Sequence, residues 1–105
     1  MRDLSRSVLE KLFEYDYRRG TLKWKVQRGS TYPGDHAGTI VKKKFESYRY
    51  KTVMVDGIFY QVTRICYILK NGEIPKGRKV RTRNGDGLDL SAENLYISNY
   101  DPDEL

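Results

Sequence analysis

Lys79-Val80-Arg81-Thr82-Arg83-Asn84-Gly85-Asp86-Gly87-Leu88-Asp89-Leu90-Ser91-Ala92-Glu93-Asn94-Leu95 is the stretch on which the reading of this chain turns. Residues 79–82 read as a short strand, and the glycines and aspartates that follow read as a loop. Residues 91–94 form a turn, and residues 95–98 return as a second strand. The C-terminal part is therefore expected to be a two-stranded unit closed by a long Gly-Asp loop.

Working outward, residues 5–15 predict an amphipathic helix, with Val8, Leu9, Leu12 and Phe13 at helical spacing and Ser5 or Ser7 as cap. Arg18-Arg19-Gly20 turns the chain into a strand over residues 21–26, where Leu22 and Trp24 alternate with polar neighbours and Trp24 belongs to the core. Residues 27–38 read as loop, followed by a short strand at 39–41. Residues 48–55 are dense in aromatic and β-branched side chains, and Asp56-Gly57 is a strong hairpin signal returning the chain through residues 58–61. Residues 62–69 then read as a helix packed on the sheet, closed by Asn71-Gly72, with Cys66 inside its apolar pattern.

At 105 residues the chain is expected to form one domain. A lone cysteine excludes an internal disulfide, and no apolar run suits a signal core or a membrane span, so a cytoplasmic protein is expected. The net charge of +6 is unevenly distributed: residues 1–83 hold all twenty Lys and Arg against eight acids, whereas residues 84–105 hold six acids and no base. A basic body implies attraction to a polyanion, most readily nucleic acid, through phosphate neutralisation. Nine tyrosines suit either base stacking or a protein interface.

The Asn84-Gly85-Asp86 turn and the Glu93-Asn94-Leu95 strand opening resemble the HNH endonucleases of phages and mobile introns. So, in order upstream, do Leu12-Phe13-Glu14-Tyr15-Asp16, Gly20-Thr21-Leu22-Lys23-Trp24-Lys25, Ala37-Gly38, Val55-Asp56-Gly57-Ile58-Phe59-Tyr60, Thr63-Arg64 and Asn71-Gly72-Glu73-Ile74-Pro75-Lys76-Gly77. Several spaced motifs in order are more specific than any one alone. The resemblance implies an α+β fold: a small antiparallel sheet with packed helices and a degraded ββα-metal C-terminal motif. Residues 1–72 would carry the helices and a basic sheet, and residues 73–105 the degenerate motif with its acidic tail.

In that family an acid and a histidine end the first strand of the motif, and the imidazole acts as general base beside a divalent ion. Here the two positions are Arg81 and Thr82. A hydroxyl does not accept a proton near neutral pH, and a guanidinium offers donors only. The Asn94 position orients the missing histidine in the family, so in this chain Asn94 is expected to close the loop through local backbone. A further metal-ligand position falls near Asp103, where the two residues left before the end of the sequence give a helix little room. The Thr63 position, commonly histidine, is also replaced, and His36 stands alone in a loop.

The expectation is thus a phage-type protein that has lost nuclease catalysis, needs no cofactor and binds DNA. Lys42, Lys43, Lys44, Arg49, Lys51, Arg64, Arg81 and Arg83 are the candidate DNA-binding residues. A sheet backed by a helix also looks like the three-stranded DNA-binding domain of plant transcription factors, whose exposed face enters the major groove. Residues 48–55 alternate Tyr48, Tyr50, Thr52 and Met54 on one face with Arg49, Lys51, Val53 and Val55 on the other, and the basic face would take phosphates or guanine. Two alternatives stand beside this: an interaction protein that inhibits a host nucleic-acid-processing enzyme, and a nuclease whose metal site moved to Asp86, Asp89, Glu93 or Asp103. A two-fold dimer is compatible with any of the three.

Overall fold

A computed structural model describes residues 3–42 and 48–98. Its elements run α1 (Arg6–Leu12), β1 (Phe13–Asp16), β2 (Thr21–Trp24), β3 (Thr39–Val41), β4 (Tyr50–Val55), β5 (Ile58–Gln61), α2 (Val62–Asn71), β6 (Val80–Thr82), a 3-10 turn (Ala92–Asn94) and β7 (Leu95–Ile97). The class is α+β and the C-terminal ribbon β6-β7 stands by itself, as expected, but the remaining strands form two small antiparallel sheets rather than one, β1-β2 and β3-β4-β5.

The first helix is shorter than its apolar spacing predicts. Ser5 caps it by accepting from the Val8 amide, and it stops at Leu12 because Phe13 is extended. Phe13 pairs across the ribbon with Trp24, their ring centroids 4.5 Å apart. Phe13-Glu14-Tyr15-Asp16 alternates with period two, and cross-strand pairing with β2 overrides the helical periodicity that also fits it. Lys25 secures the junction, its amide donating to the Leu12 carbonyl and its ammonium to the Glu10 carbonyl near the helix end. Val8, counted with the apolar face, is exposed.

In the three-stranded sheet, Asp56 and Gly57 both take positive φ, 51° and 82°, the two-residue turn whose twist matches a hairpin. Val53 lies opposite Tyr60, both buried, while Met54 lies opposite Phe59, both exposed. Helix α2 covers the buried side, with Val62, Ile65, Cys66 and Ile68 essentially inaccessible to solvent. The same helix also packs against α1, β6 and β7, so it joins the three-stranded sheet to the C-terminal ribbon. Gly72, at φ 100°, ends it by donating to the Ile68 carbonyl, a conformation that disfavours side chains. Burial pushes the Cys66 thiol well above its ordinary range, which suits packing rather than reactivity. Among the described residues no helix is long and apolar enough to cross a membrane.

Candidate functional site

The ribbon β6-β7 pairs Val80 with Ile97, Arg81 with Tyr96 and Thr82 with Leu95, and the loop between its strands is held by its own polar groups. Asn94 is buried; its side-chain carbonyl accepts from the Asn84 amide at 3.1 Å and its side-chain NH2 donates to the Asp89 carbonyl at 2.8 Å. Asp89 accepts from the Ser91 hydroxyl and amide and from the Asn84 side chain, and Asp86 accepts from the Leu88 amide. The Ser91 bonds, with the Asn84 bond behind them, hold the Asp89 carboxyl below its ordinary range.

This loop is also docked onto the N-terminal ribbon. The Tyr15 hydroxyl donates to the Leu90 carbonyl, and the Ala92 amide donates to the Tyr17 carbonyl at 2.8 Å. Burial, with the neighbouring Cys66, Asp89 and Asp16, pushes the Tyr15 phenol up. Gly20 lies so close that a methyl group there would meet the Ser91 nitrogen at 2.5 Å. On the opposite side a methyl group on Gly87 would collide with the Arg49 carbonyl and come within 2.7 Å of the Tyr48 ring.

Beside this ordered loop lies an open cleft of about 920 Å³. It is lined by Tyr48, by Tyr50 and Gln61 from the three-stranded sheet, by Thr63 and Arg64 from the first turn of α2, and by a further wall running from Ile74 to Arg81 of β6. Among the described residues Arg64, Lys76, Arg78, Lys79 and Arg81 line it against a single carboxylate, that of Asp3. Like charges this close raise the local potential, and concave walls of low dielectric focus it. No side chain caps α2 at Gln61, so the positive end of the helix dipole adds to the same field.

Two of these arginines build the cleft. Arg64 grips Asp3 through two parallel bonds of 2.8 and 2.7 Å and donates a third to the Arg78 carbonyl at 3.1 Å, fastening the far wall to α2. Its side chain is largely withdrawn, at 16% exposure. Arg78 in turn donates to the Ser98 carbonyl and ties that wall to the end of β7. Lys76 and Arg81 are exposed and form no ion pair among the described residues.

The basic-sheet expectation needs correction. The side of β4 that carries Lys51 also carries Val53 and Val55, both buried, so it faces the core rather than a partner. The outward side carries Tyr50, Thr52 and Met54, with Phe59 and Gln61 beside them, and no charge. Arg49 precedes the strand and Lys42 follows β3; both are exposed but neither lines the cleft. Lys43, Lys44 and Asp103 lie outside the described residues. Arg83 is stacked 4.9 Å over the Tyr96 ring and donates to the Glu93 carbonyl. Of the six described among the eight basic residues expected to meet DNA, the cleft gathers Arg64 and Arg81.

Arg81 lines the cleft, whereas the neighbouring Thr82 is half-buried and does not. His36 is exposed, in a backbone bridge with Lys23. Among the described residues no three His, Cys, Asp or Glu side chains converge to hold a metal ion, so Asp86, Asp89 and Glu93 do not assemble one. Lys76, Arg78 and Lys79, together with the tyrosine wall, escaped the sequence reading; the signal available was the density of cations over residues 76–83. No family model, curated protein or solved structure matches this chain.

Proposed function

We propose that this protein binds DNA, holding the phosphodiester backbone without cutting it, on a frame of the HNH type that has lost its catalytic groups. The observation that carries the reading is the cleft: among the described residues, five cations against one carboxylate, with Lys76 and Arg81 exposed in it. Cations held near one another gain by releasing the counterions of a polyanion, which is the main source of sequence-independent affinity for DNA. Arg81 occupies the position at which the resemblance calls for an acidic group. There a guanidinium takes a phosphate oxygen directly through charge-assisted bonds. Thr82 is a hydroxyl, half-buried, and supplies no base for attack by water.

The test is binding of the purified chain to labelled duplex and single-stranded DNA at two salt concentrations with magnesium present, the products being run on a denaturing gel. Salt-sensitive binding with the DNA intact is the expected result. Cleavage would refute the loss of catalysis, and absence of binding to both forms would refute the DNA reading.

One observation favours a second reading, a phage-type interaction protein that inhibits a host nucleic-acid-processing enzyme. Met54, Ile58 and Phe59 are each at least half exposed around one hairpin, an apolar tip that a protein partner would cover. Copurification of one host protein, with no affinity for nucleic acid, would favour it.

A further inference from the structure

We infer that the cleft takes DNA as an unpaired strand, with bases stacked against Tyr48 and Tyr50 and the backbone running along Lys76 and Arg81; this rests on the DNA-binding reading above. The shape of the site comes first. A protein that reads duplex DNA presents a convex element, a helix or a ribbon, to a groove about 12 Å wide. Here the cations line a concavity, and the tyrosines stand in its wall. Paired bases are stacked inside the helix and offer only their edges, so a ring within a cleft does not reach their faces. An unpaired strand enters such a cleft, and its bases splay toward aromatic side chains while phosphates track the basic wall.

The tyrosines themselves support this. Tyr48 and Tyr50 are two residues apart and both line the cleft, with ring centroids 6.3 Å apart and planes within 26° of parallel. Two near-parallel rings at that separation offer adjacent aromatic faces on which bases can stack. Tyr48 is 43% exposed, yet its ring is backed by the Gly87 backbone, where no side chain fits. A ring already held in place loses little freedom on binding. Among the described residues Asp3 is the one carboxylate that lines the cleft, and it is engaged by Arg64.

Anisotropy titrations of the full chain with a labelled oligothymidylate and a duplex of equal length test the inference. A strand carrying 2-aminopurine, whose emission responds to stacking, supplies a second readout on the unaltered protein. The single strand should bind roughly five- to a hundredfold tighter than the duplex, the range that base–aromatic stacking carries, and emission should change on binding. Tyr48→Leu with Tyr50→Leu should remove that preference, whereas Tyr48→Phe with Tyr50→Phe should keep it. A duplex bound as tightly as the single strand would overturn the inference and leave the DNA reading standing, as would unaltered emission on binding. No binding of either form would overturn the DNA reading itself.

Discussion

The loop after β6 and the segment that runs from Lys76 into β6 both carry several polar side chains, yet they end in opposite states. In the loop, Asn84, Asp86, Asp89, Ser91 and Asn94 satisfy one another and the local backbone. In the segment, Lys76, Arg78, Lys79 and Arg81 share one sign and are held along one wall. Donors and acceptors interleaved over a few residues close on themselves, which is how buried polar groups escape the cost of desolvation. Side chains of one sign cannot pair with one another; Arg78 turns to the Ser98 carbonyl, and the field of exposed Lys76 and Arg81 attracts a counter-charge. The interleaved polar groups thus hold the loop together, whereas Lys76 and Arg81 face solvent.

The contrast is most readily broken at the loop's platform. Gly20→Ala places a methyl group 2.5 Å from the Ser91 nitrogen at a φ of 71° and should destabilise the fold by about 3 kcal/mol or more, read as a lower urea midpoint. Next in size, Asn94→Ala removes both bonds of a buried amide and should cost about 2–3 kcal/mol in the same assay. If it costs under about 0.5 kcal/mol, the loop does not depend on its internal bonds.

The cleft should respond in the reverse way. Lys76→Glu with Arg81→Glu should leave the urea midpoint within about 0.5 kcal/mol, since both residues are exposed. DNA affinity should fall, and its log–log salt dependence should become shallower by roughly 0.7–0.9 for each phosphate that the protein ceases to neutralise. An unchanged salt dependence would locate the DNA-binding surface elsewhere.

The smallest effect expected is one of pH. The Asp89 carboxyl is held below its ordinary range, so it contributes stability that is present above its unfolded value, about 4, and is lost as pH falls through the folded one. Asp89→Asn should therefore be less stable than the natural chain at neutral pH, and the difference should shrink on acidification. Denaturant midpoints at neutral and acidic pH measure this; a gap that widens in acid would contradict the assignment.

Several elements were legible because their signals are local. Asp56-Gly57 takes a turn that requires two positive φ values, and Asn71-Gly72 ends α2 because glycine tolerates its backbone angles. The strands and turn around the Gly-Asp loop, and the burial of Trp24 and Cys66, follow likewise from spacing and residue type. The end of α1 was less legible, since residues 12–15 fit two periodicities and only the presence of β2 selects one. The side of β4 on which Arg49 and Lys51 alternate with Val53 and Val55 was ambiguous in the same way. Alternation tells which residues share a side, and only the position of α2 tells which side is covered.

By itself the sequence determined an α+β chain of short strands, its turns, its basic excess and the side-chain chemistry at positions 81 and 82, all of which depend on neighbours within a few residues. Tertiary structure decided the rest. It turned the uncharged side of the sheet outward and directed Arg64 onto Asp3, 61 residues away. It also brought the basic segment and Tyr48 and Tyr50 into one cleft. The reason is that burial and electrostatic potential are set by distances in space, which separation along the chain does not specify.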